Sequence, residues 1–177
     1  MLSNTQIKRP SQATLKVNRV SLKKSKALAY KQYEDALECR EDYLQASQAF
    51  DKAKIHILNA IAINPVDADS LNLLSRIELE RGDKISALDA INSAVELEPE
   101  NGGYWYSAGH ALLANHQLTK AKQAFENAIE LLPDETRAEI GLAYTYQKLG
   151  EPVKAFQIYR VLIKSKPEDL QLRSLLL

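Results

Sequence analysis

Three histidines, one cysteine and a scatter of carboxylates are the side chains here most able to do chemistry, and their spacing assembles no catalytic set. Metal sites draw their histidines together at short, face-sharing intervals. His56 stands alone, and His110 and His116 are six apart, which puts them on different faces of a helix. Cys39 has no activating base near it in sequence, so a buried, inert thiol is expected. As the only cysteine it can close no internal disulfide and gives no sign of an oxidising compartment. The adjacent glycines Gly102-Gly103 follow Pro99 and a helical pattern rather than a strand, so they do not make a phosphate-cradling loop. The residues therefore predict recognition rather than turnover: no enzyme, no metal and no cofactor.

Charge narrows the partner. The chain of 177 residues has 23 basic and 23 acidic side chains, but residues 1–33 carry eight Lys or Arg and no acid, leaving the rest with a net charge of −8. A basic arm precedes an acidic body. Phosphate attraction needs only positive charge, yet the arm has no aromatic before Tyr30 and the acidic body repels phosphate, so nucleic acid is a disfavoured partner. No apolar run approaches the roughly 20 residues that span a bilayer, and residues 1–32 lack the apolar core of a secretory signal, so the expected compartment is the cytoplasm.

The elements that must position any recognition surface show themselves as a repeat. Pro65, Pro99, Pro133 and Pro167 are successively 34 residues apart. The same interval separates Ala53, Ala87, Ala121 and Ala155, and also the large residues Ile57, Ile91, Phe125 and Tyr159. Ala60, Ala94, Ala128 and Leu162 keep it too, as do Ile61, Val95, Ile129 and Ile163. A period in this range marks stacked units, each unable to bury its apolar face alone.

Taken in order, residues 1–25 read as a flexible basic tail, because Ser, Asn, Gln, Thr and Lys bury too little to offset ordering entropy. From about Lys26 a helix carries Tyr30, Tyr33, Leu37 and Leu44 on one stripe, and a second runs from about Ala49 to Ile63. The next unit predicts helices over Ala68–Arg81 and Lys84–Leu97 about a Gly82-Asp83 corner. The third turns near Asn115-His116, and the fourth turns at Gly150 with Pro152 opening its second helix. Gly82 and Gly150 align with His116 and Gln48, so the first and third corners are expected to be looser or differently twisted. The units span 26–67, 68–101, 102–135 and 136–169, followed by a capping segment at 170–177 whose leucines (Leu170, Leu172, Leu175, Leu176, Leu177) also offer a surface for homo-oligomer formation.

This pattern resembles the tetratricopeptide repeat. The third unit matches best, with Trp105, Ala108, Gly109, Leu112, Ala121, Phe125, Ala128 and Pro133. The second departs at Glu78, the fourth at Glu139, and the first at Arg40 and Glu41, so its opening helix is displaced or elongated. The resemblance covers about Glu34 to Pro167 and implies an all-α fold, a right-handed superhelix of about four helix-turn-helix repeats with a capping helix. It further implies that the first helices line a concave groove for a protein or peptide partner, exposing Asn72, Arg76 and Leu79, then Tyr106, His110 and Leu113, then Arg137, Ile140, Tyr144 and Gln147. Tyr106 and Tyr144 are the expected hot spots, and Trp105 is expected in the core. Some family members grip a chaperone's terminal carboxylate with Lys, Asn and Arg; here those places hold Glu38, Asp42, Ser107 and Gly141, with Arg137 alone fitting. Asp35, Glu38 and Asp42 form an acidic face by spacing, which could attract the basic arm in cis or from a neighbour.

Overall fold

The computed structural model describes residues 12–133 and 136–165, which form eight α-helices and, among the described residues, no strand. The chain divides into two compact units at Val66 and Asp67.

The first unit is a helical hairpin of α1 (Gln12–Glu38) and α2 (Tyr43–Ile63). Asp42 starts α2 by accepting hydrogen bonds from the Leu44 and Gln45 amides, each at 3.1 Å. Ala29, Tyr33 and Ala36 of α1 pack with Ala46, Phe50, Ala53 and Ile57 of α2, and the Tyr33 and Phe50 rings meet at 5.8 Å. Two expectations are corrected here. Residues 12–25 are helical rather than a flexible tail, although residues 16–21 are all exposed. Their Lys, Leu, Ala and Gln content is intrinsically helix-forming and no Gly or Pro interrupts it, so local propensity extends a helix that packing anchors only further on. The second helix begins at Tyr43, not Ala49, which leaves Gln48 inside it and Leu44, expected on the buried stripe, 66% exposed.

The second unit holds α3 (Ala68–Arg81), α4 (Lys84–Leu97), α5 (Gly102–Ala114), α6 (Leu118–Leu131), α7 (Thr136–Lys148) and α8 (Pro152–Ser165). Asp67, Asp83 and Asn101 cap α3, α4 and α5 through side-chain oxygens on the amides of Ser70, Ser86 and Gly103. The three corners share one conformation. Gly82 and Gly150 take φ of 83° and 78°, and His116 takes 58°. The same pair of backbone bonds closes each corner: Gly82 to Leu79 and Asp83 to Glu78, His116 to Leu113 and Gln117 to Leu112, Gly150 to Gln147 and Glu151 to Tyr146. The third corner is therefore not looser; histidine is held in a left-handed conformation that glycine adopts more cheaply.

Helices α3, α5 and α7 pack side by side, while α4, α6 and α8 each pair with the helix before them. Three of the 34-residue registers are buried, with Ala87, Ala121 and Ala155, Ile91, Phe125 and Tyr159, and Ala94, Ala128 and Leu162 all at most 3% exposed, while Ile61, Val95, Ile129 and Ile163 are half-buried and Pro65, Pro99 and Pro133 exposed. Phe125 is the deepest wedge. A Cβ added at Gly109 would lie 2.6 Å from its ring and one at Gly141 2.5 Å from it, so two glycines on neighbouring helices admit one phenyl. Glu78, in a slot expected to be apolar, is buried and paired with Arg81 at 3.5 Å. The expected cap at 170–177, its leucine surface and Pro167 lie outside the described residues.

Candidate functional site

Helix geometry carries Tyr106, His110 and Leu113 to one face of α5, at intervals of four and three, and Arg137, Ile140 and Tyr144 to one face of α7. Packing of α5 against α7 brings the two rows together. All six line one cavity of about 270 Å³, with Gly141 and Tyr159 completing its wall. The wall is mostly apolar, in keeping with a site that takes a side chain out of water.

The rings are fixed against each other. Tyr106 meets His110 edge-to-face at 4.6 Å between centroids, and both lean on the buried Phe125, at 6.1 and 5.3 Å. The Arg137 guanidinium lies 5.4 Å over Tyr106, and the Lys148 ammonium 5.0 Å over Tyr144. His110 reaches solvent at the rim, but its apolar surroundings desolvate the imidazole and push its pKa below the ordinary value. Burial, and then the neighbouring Tyr144, raise the pKa of Tyr159, so its phenol stays neutral.

The remaining expected groove residues do not join this cavity. Asn72, Arg76 and Leu79 on α3 are half-buried, and Leu79 packs against the core. The buried Oδ1 of Asn72 has no hydrogen-bond partner. Gln147 is exposed one turn beyond the cavity wall. The acidic face is corrected: α1 ends at Glu38, so Asp42 is not on it but caps α2, while Asp35 accepts a hydrogen bond from Gln32 at 3.0 Å. Lys16 to Lys31 belong to the same helix as Asp35 and cannot fold back onto it as an arm in cis. Of the clamp positions, Ser107 donates to the Gly103 carbonyl and Gly141 is filled against Phe125, so neither is available to a carboxylate.

His56 is half-buried on α2, His116 turns a corner, and Cys39 is half-buried in the turn after α1 rather than fully buried. Among the described residues no three His, Cys, Asp or Glu gather as metal ligands, and no helix is long and apolar enough to cross a membrane. Sequence reasoning missed Gly141, Tyr159 and Lys148. Tyr159 is signalled by its place in the 34-residue register and Lys148 by its position four residues after Tyr144; Gly141 is named among the clamp positions, but its role as a wall against Phe125 has no signal short of knowing which ring it faces.

A tetratricopeptide-repeat family model matches residues 112–176. Superkiller complex protein 3 from Mus musculus is 31% identical over 90 residues, or 51% of this chain, which spans only 6% of that protein's length. The crystal structure of MamA superposes with a TM-score of 0.65 at 23% identity, covering 74% of this chain and 77% of MamA. The first repeat domain of Spaghetti, bound to an HSP90 peptide, superposes with a TM-score of 0.57 at 19% identity over 71% of this chain and 95% of its own. These similarities agree with the all-helical architecture.

Proposed function

From the repeat model matched by residues 112–176 and the fold shared with MamA, we propose that the chain is a tetratricopeptide-repeat protein and a non-enzymatic interaction module, an adaptor or assembly chaperone that captures a peptide or partner helix on its α5–α7 face. One observation carries this reading: six residues expected at the groove converge on a single, mostly apolar cavity. Aromatic and arginine groups around an apolar pit are the composition of an interface anchor. The cavity suits one bulky apolar side chain, with Tyr106 and Tyr144 holding it, Arg137 at the rim, and Asn72, Arg76, Leu79 and Gln147 flanking it as a wider contact surface. The peptide-bound neighbour lends support by fold alone. The test is a pull-down that compares wild type with a folded Tyr106→Ala, Tyr144→Ala double variant. Partners lost only from the variant support the reading, and an unchanged set overturns it.

A second reading makes the chain a repeat-bearing scaffold of a larger secretion or catalytic assembly, self-associating through its C-terminal leucines. It is favoured by similarity to a protein whose name places it in a complex, Superkiller complex protein 3. Light scattering before and after removal of residues 172–177 tests it, since an oligomer unchanged by the truncation removes those leucines from the account.

A further inference from the structure

A second concavity lies away from the α5–α7 cavity, between α4, α5 and α6. Its volume is about 410 Å³, within the roughly 300–1,000 Å³ of small-molecule sites. Its wall is of a different character. Trp105, Leu88, Leu112 and Ala124 supply its apolar part, and Asn92, Gln117, Gln123 and Asn127 add four carboxamides to the wall, with Lys120 its one cation.

The indole is fixed in place. Its Nε1–H donates to the Pro99 carbonyl at 2.7 Å, which pins the ring orientation and occupies the N–H, so the ring can meet a ligand only through its carbon surface. The carboxamides are not used to hold the fold. Gln117 sits at the start of α6 without making a side-chain cap bond. Asn115 nearby shows the contrast, because its amide is tied to the Lys84 and Ala111 carbonyls. Among the described residues, no side-chain hydrogen bond involves Asn92, Gln123 or Asn127. Each carboxamide offers a donor and an acceptor side by side.

An aromatic ring beside neutral groups that both donate and accept selects a particular chemistry. A pyranose has one face of C–H groups, which lies on an indole, and a rim of hydroxyls, each able to donate and accept at once. A carboxylate or phosphate ligand would want more than the one cation the wall holds. We propose that the concavity between α4, α5 and α6 binds a neutral sugar ring stacked on Trp105 and hydrogen-bonded by the surrounding carboxamides. This site stands apart from the proposed partner groove, and neither depends on the other.

The chain has a single tryptophan, so its fluorescence reports this site alone. The full chain is titrated with maltose, cellobiose and diacetylchitobiose, with a neutral blocked tripeptide as control. The expected result is a saturable fluorescence change with at least one disaccharide, half-complete at about 1–10 mM as befits a shallow site, and none with the tripeptide. Gln123→Ala and Asn127→Ala, on partly or fully exposed positions, should weaken it about fivefold each while circular dichroism stays that of wild type. Should either variant lose helicity, the other serves alone, since both remove only a surface amide. The Tyr106→Ala, Tyr144→Ala variant should titrate as wild type, which separates this site from the groove. No saturable response to any of the three sugars, a response shared by the tripeptide, or one indifferent to both amide substitutions would each overturn the proposal.

Discussion

Gly141→Ala should destabilise the second unit although alanine is the better helix former. An ideal Cβ at Gly141 lies 2.5 Å from Phe125 Cε1, 2.7 Å from Cζ and 2.9 Å from Cδ1. Ordinary carbon contacts are about 3.5–4.0 Å, so the overlap is about 1 Å. The ring has no retreat, because it is fully buried and its far side meets Gly109, where an added Cβ would lie 2.6 Å away. Overpacking of this kind costs about 1–3 kcal/mol. Replacing a mid-helix glycine returns about 0.5–1 kcal/mol, so a net loss of about 1–2 kcal/mol is expected. Urea unfolding followed by the fluorescence of Trp105, which sits on α5, measures it. The cause is then isolated in a Phe125→Leu background, where Gly141→Ala should become neutral or stabilising, a coupling of about 1 kcal/mol or more. Wild-type stability for Gly141→Ala, or a loss that persists unchanged in the leucine background, would refute the wedge.

Truncating Tyr106 or Tyr144 to alanine should each weaken partner binding by about 2 kcal/mol, roughly thirtyfold, in a titration calorimetry experiment with the captured partner. Gly82→Ala, at φ 83° with open space around it, should cost about 1 kcal/mol from backbone strain alone, whereas His116→Gly should be tolerated or mildly stabilising in the same thermal melts. Asp83→Ala removes the cap on the Ser86 amide and should cost about 1 kcal/mol at an exposed position. His110 titrates below its ordinary 6.5 in the folded chain. In the window between that lowered value and 6.5 the unfolded chain therefore binds a proton the folded one lacks, and stability should be intact above 6.5 and decline as the pH drops through the window. An NMR titration of the imidazole that gives a midpoint at or above 6.5 would contradict this.

Helices α3 to α8 could be read because Asp, Asn, Gly and Pro mark most of their ends, and three of the five 34-residue registers hold residues that lie deepest. The misreadings have separate physical origins. Low burial alone predicts a tail over residues 12–25, but a lysine- and leucine-rich run free of Gly and Pro extends the helix beyond its anchored part. Asp42 was placed on a helix face by spacing, but an aspartate just before a helical run is equally a cap. The corner at His116 is legible from its alignment with Gly82 and Gly150, but its left-handed backbone is not, because a non-glycine residue seldom takes a positive φ. At the cavity, the rows on α5 and α7 follow from helix periodicity once the repeat is recognised. Closure by Gly141 and Tyr159 depends on which helices neighbour each other, which no local spacing encodes.

The phenyl of Phe125 has one consequence for how recognition feels mechanical load. The same ring that keys α5 to α7 also backs His110 and Tyr106 at the cavity wall. On the proposed reading, a guest seated there would lean, through Tyr106 and His110, on the pin that couples adjacent hairpins. Occupancy should stiffen the stack, and prising the hairpins apart should eject the guest.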